Sequence, residues 1–207
     1  MQLTETFEFT EDWFSNHIPA WNKIINDVRP RRILEIGSYE GRATTYLIRA
    51  CTGFGPLHIT CVDTWDGSVD LPAARMAGVE RRFDRNVSEA VRLAEAPVDF
   101  RKWKQDSTRA LSALIADGSE LFDLIYVDGS HTAPDVLTDG VLAFEVLRVG
   151  GVMIFDDYLW SMEAPAHVDP LNRPKTAIDA FTMVFTRKVR VLPGMPNAQC
   201  YVEKIAN

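Results

Sequence analysis

Three carboxylates follow two short apolar segments in the second half of the chain. Asp128 comes directly after Phe122–Val127, and Asp156 and Asp157 come directly after residues 152–155. If both segments are parallel strands, their carboxyl ends face one ligand crevice, so the three carboxylates can converge there. Three oxygen ligands without a neighbouring cysteine suit a hard divalent cation such as Mg²⁺. Without a cation, mutual repulsion between these carboxylates raises at least one of their pKa values.

One histidine lies close to these carboxylates in the sequence. His131 follows Asp128 by three residues. A histidine beside a cation site at a strand end titrates near neutral pH and can act as a general base. Histidine at such a position also serves as a helix cap or orients a ligand, and both alternatives stay open. His17, His58 and His167 have no comparable sequence context.

A glycine loop follows the first predicted strand, Arg32–Ile36. Gly37 permits a tight turn and a close backbone approach to a ligand, and Gly41 lets the next helix begin against the strand. Glu35 precedes the loop, and its charge would repel a pyrophosphate and attract a cationic group such as the ammonium of an amino acid. Glu35 and the two glycines are equally compatible with a purely structural turn.

Two further polar positions follow predicted strands. Asp63 comes after residues 57–62, where an acid can hydrogen-bond ribose hydroxyls, although a turn or cap aspartate is the alternative. Asp106 and Ser107 come after residues 98–102 and precede a predicted helix. Asp106 is therefore an acceptor for an adenine amino group, or else Asp106 or Ser107 is a helix N-cap. The residue types do not decide between these roles.

The elements that must position these residues alternate between short apolar segments and longer amphipathic ones. This alternation is typical of βαβ units and of a mostly parallel sheet. The predicted parallel strands are Arg32–Ile36, 57–62, 98–102, Phe122–Val127 and 152–155, and the helices between them are Arg42–Cys51, 79–95, Ser107–Asp117 and 133–147. Residues 189–192 and 199–204 are predicted to form a terminal hairpin after a helix over 175–186.

The two ends of this pattern carry aromatic residues that could face a substrate. Apolar residues recur at helical spacing within residues 1–30, and residues 158–174 contain three prolines and are predicted to be a loop on the substrate side. Aromatic side chains in or beside the predicted loops either wall an aromatic or sugar ring or simply pack in the core. They are Tyr39, Trp65, Tyr158 and Trp160.

Composition limits the classes of protein that are compatible with this chain. Its 207 residues favour one domain over residues 1–207, and its net charge of −7 argues against nucleic acid as the partner. Eleven acids against three bases lie between residues 110 and 175, where the cation is predicted. Three cysteines without CxxC spacing, no apolar run of membrane length and an acidic start predict a cytoplasmic protein without a membrane partner. A homo-oligomer is left open.

The separate motifs together resemble the class I S-adenosylmethionine (SAM)-dependent methyltransferases. The resemblance covers roughly residues 33–204, and Tyr39 stands where the commoner loop has glycine. It implies an α/β fold with a Rossmann-like, doubly wound, mostly parallel seven-stranded sheet and a C-terminal antiparallel hairpin. It also implies SAM as cofactor, bound by Glu35, Gly37, Ser38, Gly41, Asp63, Trp65, Asp106, Ser107 and Asp128.

The pattern Asp128, Asp156 and Asp157 is similar to that of the metal-dependent O-methyltransferases, of the catechol type and of the type that modifies macrolide sugars. The resemblance implies that these three residues bind Mg²⁺ or another divalent cation. It places His131 at the position of the base, where some relatives have lysine. The expected reaction transfers a methyl group to a hydroxyl of a small molecule, either a vicinal diol of a sugar or a phenol of catechol type.

Three alternatives remain compatible with the sequence. The first is a methyltransferase without a metal, in which Asp156 and Asp157 only cap and position. The second is an oxidoreductase with a nucleotide cofactor, which needs a phosphate cradle that the loop after Glu35 supplies poorly. The third is a cofactor-binding protein without catalytic activity.

Overall fold

One seven-stranded sheet forms the centre of the fold, with the strand order β3-β2-β1-β4-β5-β7-β6. The computed structural model describes residues 7–68, 71–118, 121–161, 163 and 169–207. The strands are β1 Arg32–Ile36, β2 Leu57–Asp63, β3 Val98–Lys104, β4 Phe122–Val127, β5 Leu147–Phe155, β6 Val189–Val191 and β7 Cys200–Lys204. The predicted α/β, doubly wound fold is confirmed.

The order of the strands determines where a ligand can bind. Strands β1 to β5 pair in parallel, and β7 lies antiparallel between β5 and β6. The chain proceeds from β1 outward to β3 and then returns to β4 on the other side of β1. This reversal leaves a crevice outside the carboxyl ends of β1 and β4, because the connections from these two strands diverge to opposite faces.

Within the described residues, six α-helices cover the two faces of the sheet. Buried side chains of α1 to α3 pack on one face, and those of α4 to α6 pack on the other. Successive side chains of a strand point to opposite faces of the sheet, because side chains in a strand have a period of two. Ile33 and Leu34 of β1 accordingly pack in the cores on opposite faces. The helices are α1 Ile18–Val28, α2 Arg42–Cys51, α3 Val79–Arg92, α4 Ser107–Asp117, α5 Ala133–Val146 and α6 Pro174–Val184.

The junction between α5 and β5 differs from the sequence expectation. Helix α5 ends at Val146, and β5 begins directly at Leu147 rather than at residue 152. The buried side chain of Lys204 explains why the helix can end without a loop, because its Nζ donates to the carbonyls of Phe144 and Leu147 at 2.9 and 2.8 Å. A cation at these carbonyls stabilises the end of the helix, where the Phe144 carbonyl also accepts from the Leu147 amide.

The described residues include only part of two predicted segments. Residues 158–161 and 163 and a short 3-10 helix, Pro170–Asn172, belong to the predicted substrate-side loop 158–174, and the rest of that loop lies outside the described residues. Residues 1–6 of the N-terminal segment also lie outside them. Among the helices in the described part of the chain, none has the length and apolar character needed to cross a membrane.

Candidate active site

An open crevice of about 610 Å³ lies at the carboxyl ends of β1, β2, β4 and β5. Its volume is within the roughly 300–1,000 Å³ that is typical of ligand sites. Besides Gly67, Ser68, Leu71, Arg75 and Met76 after β2, three parts of the chain form its walls. They are the N-terminal segment with Phe9, Trp13, Phe14 and His17, the glycine loop with Glu35, Gly37, Ser38 and Tyr39, and the strand ends with Asp63, Asp128, His131, Asp156, Asp157 and Trp160.

The glycine loop is held against the end of β4 by close backbone packing. Gly37 has a φ of +82°, and a Cβ at this position would lie 2.0 Å from the carbonyl oxygen of Asp128. No residue with a side chain fits here, because such a separation is far below van der Waals contact and the φ is left-handed. The Asp128 amide also donates to the Ile36 carbonyl at 2.8 Å. The loop and the acidic strand end therefore form one rigid unit.

Glu35 supplies a buried acid to this unit. Its side chain is 1% exposed, and its Oε2 accepts from the hydroxyl of Ser38 at 3.2 Å and from that of Thr44. Its Oε1 is buried and has no hydrogen-bond partner within the described residues. Burial raises the pKa of Glu35 to about 7. A buried acceptor without a donor is open to a hydrogen bond from a ligand group or from water.

The raised pKa of Glu35 predicts a pH-dependent stability. The folded state binds a proton that the unfolded state releases above about pH 4.5, so this stabilisation is lost as pH rises through about 7. We expect the Glu35→Gln variant to lack this loss. Between about pH 5 and about pH 8, the free energy of unfolding of the unmodified chain should therefore fall by about 2 to 3 kcal/mol more than that of the variant. Urea unfolding at both pH values measures the difference.

A matched control separates Glu35 from another buried acid whose pKa is raised. Burial also raises the pKa of Asp139 to about 7, and Asp139 lies on α5, away from the crevice lining. Asp139→Asn should remove its own share of the pH dependence and leave that of Glu35. A Glu35→Gln variant with the pH dependence of the unmodified chain would contradict the prediction.

Asp63 fixes the shape of the glycine loop. Its Oδ2 accepts from the backbone amides of Ser38 and Tyr39 at 2.8 and 2.9 Å, and its Oδ1 accepts from the amide of Trp65 at 2.7 Å. Tyr39, in the place where the commoner loop has glycine, adopts a left-handed φ of +47°. The hydrogen bonds from the Ser38 and Tyr39 amides to Asp63 stabilise this left-handed backbone, which otherwise costs energy for a residue with a side chain.

Four of the predicted cofactor residues lie outside the crevice lining, and the first of them, Gly41, is the N-cap of α2. Trp65 is buried, and its ring packs on Phe83 at 4.8 Å between centroids. Asp106 caps α4, because its Oδ1 accepts from the backbone amide of Arg109 at 3.2 Å. Ser107 is the first residue of α4. The structure thus gives Trp65 a packing role and Asp106 the cap role that the sequence had left open.

The strand ends bring two aspartates and the predicted histidine together. Asp128, His131 and Asp157 each offer one ligand atom, and these three atoms lie within 4.8 Å of one another. His131 Nε2 lies 2.7 Å from Asp157 Oδ2. The ring of Trp160 packs on that of His131 with 4.4 Å between centroids. These three residues could hold one divalent cation.

Asp156, also predicted as a ligand, lines the same crevice and has hydrogen-bond partners of its own. Its Oδ2 accepts from the Tyr126 hydroxyl and from Gln199 Nε2, the latter at 3.0 Å. The Tyr126 hydroxyl also lies 2.9 Å from Asp128 Oδ2. Burial raises the pKa of Asp128 well above its ordinary value, and the charges of Asp156 and Asp157 raise it further. Burial and the charge of Asp157 likewise raise the pKa of Asp156.

The N-terminal segment contributes residues that the sequence did not single out for the site. His17 lines the crevice, and its Nε2 lies 4.0 Å from Asp156 Oδ1. Trp13 packs on Tyr39 at 5.1 Å between ring centroids. Glu40 holds the segment in place, because its carboxylate accepts from the amide and the hydroxyl of Thr10 at 2.6 and 2.7 Å. No local pattern signals these contacts, since they join residues that are far apart in the sequence.

Comparison with known families identifies the family of this chain. A family described as a methyltransferase domain matches residues 34–158, which is more than half of the chain. The chain belongs to this methyltransferase family. The matched range of the methyltransferase contains the glycine loop, Asp63 and the acidic strand ends. The resemblance stated from the motifs is therefore confirmed.

Individual relatives of the methyltransferase are distant. A caffeoyl-CoA O-methyltransferase from Stellaria longipes is 24% identical over 139 residues, which cover 66% of this chain and 50% of that protein. The chain thus spans about half the length of this curated relative. Among solved structures, the O-methyltransferase TomG from Streptomyces achromogenes, in complex with SAM, aligns with a TM-score of 0.63 and 18% identity over 94% of this chain and 82% of that one.

A second solved structure gives the same fold. The O-methyltransferase from Bacillus cereus, in complex with SAH, aligns with a TM-score of 0.61 and 18% identity, and the alignment covers 96% of this chain and 84% of that one. At this identity, the similarity supports the fold of the methyltransferase and its seven-stranded sheet. The residues that perform the chemistry must be argued from the site itself.

Proposed function

We propose that this methyltransferase transfers the methyl group of SAM to a hydroxyl of a small molecule with the help of a divalent cation. One observation carries the proposal. The buried, unpartnered Oε1 of Glu35 and the donor group Asp128, His131 and Asp157 open into the same crevice. The names of the similar proteins, which are O-methyltransferases, support the oxygen as acceptor atom.

The glycine loop fits the amino-acid end of SAM. The unpartnered Oε1 of Glu35 is an acceptor for its ammonium group, and the bare Cα of Gly37 lets the ligand approach the backbone closely. Asp63 lies in the crevice at the end of β2, where it can accept from ribose hydroxyls with the lone pairs that the loop amides leave free. Ser38 and Gly41 complete the loop. Trp65, Asp106 and Ser107 support this site from outside.

The strand ends fit a divalent cation. Two carboxylates and one imidazole are a donor set that Mn²⁺, Co²⁺ or Fe²⁺ accepts readily, whereas Mg²⁺ prefers oxygen alone. A cation bound here would hold two neighbouring oxygens of the acceptor and lower the pKa of the hydroxyl to be methylated. The cation would be held by Asp128, His131 and Asp157, and the third predicted carboxylate, Asp156, lines the same crevice beside them.

His131 has two chemical roles that exclude each other at one atom. Its Nε2 is the nitrogen that faces Asp157, at 2.7 Å. If Nε2 binds the cation, it cannot accept the proton of the acceptor hydroxyl, and the base must be another group. If Nε2 instead donates its hydrogen to Asp157, the proton of the acceptor is taken by Nδ1, and Asp157 stabilises the resulting imidazolium, as a carboxylate does for a catalytic histidine. Trp160 restrains the ring in either role.

The acceptor binds between aromatic walls. Trp160 stands on the side of His131, and Trp13 and Tyr39 stand on the side of the N-terminal segment. Such surfaces suit the face of an aromatic ring or the apolar face of a sugar. Two neighbouring oxygens on that ring would satisfy the cation, which supports a catechol or a vicinal diol of a sugar as the acceptor class.

Calorimetric titration tests the proposal in its two parts. We expect SAM to bind in the micromolar to submillimolar range, and we expect Mn²⁺ or Mg²⁺ to increase the affinity for a catechol probe. Methyl transfer to the same probe should stop with a chelator and return with excess cation. Absence of heat with SAM would contradict the methyltransferase proposal. Unchanged turnover in chelator would favour the metal-independent alternative, in which Asp156 and Asp157 only position.

The remaining alternatives have distinct outcomes in the same experiment. Binding of NADH without binding of SAM would favour an oxidoreductase, which the buried acid Glu35 disfavours because it repels a pyrophosphate. Binding of SAM without any turnover that depends on His131 or Asp157 would favour a protein without catalytic activity. A cytoplasmic location, a single domain over residues 1–207 and a homo-oligomer stay predictions.

A further inference from the structure

A buried polar chain leads from helix α1 to the acidic strand ends. Gln199 lies directly before β7 and is 3% exposed. Its Oε1 accepts from Trp21 Nε1 at 2.8 Å and from the Tyr201 hydroxyl at 2.6 Å. Its Nε2 donates to Asp156 Oδ2 at 3.0 Å. Gln199 is not among the residues that line the crevice, so it reaches the site only through Asp156.

The orientation of the Gln199 amide follows from its neighbours. The indole nitrogen of Trp21 can only donate, so the amide atom that faces it must be the oxygen. The amide nitrogen then faces Asp156, whose carboxylate can only accept when it is ionised. Trp21 is completely buried, so water does not replace its contact. Helix α1 thereby determines which atom of Gln199 meets Asp156.

The hydrogens available to the two aspartates show why this donor matters. Tyr126 has one hydroxyl hydrogen and lies within hydrogen-bond distance of both Asp128 and Asp156. It can donate to only one of them at a time. The Asp157 amide donates to Asp156 Oδ1 at 2.7 Å, and Gln199 is the second donor to Oδ2, so Oδ2 keeps a partner when Tyr126 donates to Asp128. Without Gln199, a buried carboxylate would lose a fixed partner beside the cation group.

We propose that Gln199 is a positioning residue that fixes the direction of the Asp156 carboxylate beside the cation group Asp128, His131 and Asp157. The inference rests on the cation centre of the proposed function and adds a residue to it. Groups that orient metal ligands from behind typically change metal affinity by about 10- to 100-fold when they are replaced. Gln199 acts one step further back, through Asp156, so the lower end of this range is expected.

Binding of Mn²⁺ alone, followed by calorimetry and electron paramagnetic resonance without acceptor, tests the inference. We expect Gln199→Leu to weaken Mn²⁺ binding about tenfold and to change the resonance spectrum of bound Mn²⁺, with SAM affinity kept within about twofold. The Trp21→Phe variant keeps the side-chain amide of Gln199 but removes the indole N–H that orients this amide. We expect it to weaken Mn²⁺ binding by a smaller factor than Gln199→Leu does. It also serves as the second variant if Gln199→Leu fails to fold.

A matched control removes a hydrogen bond to α1 away from this chain of contacts. The Tyr46 hydroxyl donates to Asn22 on α1 at 2.7 Å and does not line the crevice. Tyr46→Phe should leave Mn²⁺ binding unchanged. If the unmodified chain binds Mn²⁺ and both Gln199→Leu and Trp21→Phe bind it equally well, the role of Gln199 is refuted while the cation centre stands. If the unmodified chain does not bind Mn²⁺, the cation centre and the role of Gln199 both fail.

Discussion

Replacement of Asp128 by asparagine is expected to lower cation-dependent methyl transfer by more than about 100-fold and to raise the stability of the metal-free protein. The loss follows because Asp128 offers a ligand atom to the group with His131 and Asp157, and an amide oxygen is a weaker ligand than a carboxylate. The gain follows because burial and the charges of Asp156 and Asp157 disfavour the ionised form of Asp128.

The two effects are measured separately on the same variant. Turnover with excess cation reports the loss, and urea unfolding in chelator reports the gain, which we expect to be on the order of 1 kcal/mol. SAM affinity should stay within about threefold, because the Asp128→Asn substitution keeps the backbone that packs on Gly37. Asp27→Asn is the control for the loss of one negative charge, since Asp27 is exposed on α1 and pairs with Lys23. An Asp128→Asn variant with undiminished, chelator-sensitive turnover would remove Asp128 from the cation centre.

Replacement of Gly37 by alanine is expected to abolish measurable SAM binding and to destabilise the fold by about 3 kcal/mol. The new Cβ would lie 2.0 Å from the backbone carbonyl oxygen of Asp128, and a backbone group cannot move aside as a side chain can. The left-handed φ of +82° adds strain of its own. The glycine loop must therefore separate from the end of β4, which moves Glu35 and Asp63 away from their positions around the ligand.

Gly194 provides the matched control for the backbone strain. It has a φ of +75°, but a Cβ there would meet no atom within 4 Å. Gly194→Ala should therefore cost only about 1 kcal/mol and leave SAM binding intact. The difference between the two variants in urea unfolding isolates the close approach of the loop to β4. Equal costs for both would mean that the contact between Gly37 and Asp128 is not rigid.

The residues at strand ends were predictable because local order places them there. Glu35, Asp63, Asp128 and Asp157 each lie at or directly after a strand that the apolar pattern identifies, and all four line the crevice. Parallel strands share one carboxyl edge, so the sequence position already restricts where such side chains can lie. Sequence position therefore predicts that a side chain lies at this edge of the sheet, but it does not predict the direction in which the side chain points.

Asp156 and Asp157 show this limit most clearly. They are adjacent in the sequence and were both predicted as cation ligands, yet only Asp157 joins the group with His131. Asp157 has a left-handed φ of +55°, which turns its side chain to another direction than that of Asp156. The partners that hold Asp156, Tyr126 and Gln199, come from β4 and from the start of β7. No pattern around residue 156 contains this information.

The sequence by itself determined the order of strands and helices, the family and the strand ends at which the acids lie. These features depend on periodicities of two and 3.6 residues and on short motifs, which are local properties of the chain. Only the tertiary structure decided that Trp65 packs in the core and that His17 and Gln199 approach Asp156 from distant parts of the sequence. Side-chain direction and polar pairing depend on contacts between remote elements, which form only when the sheet is assembled.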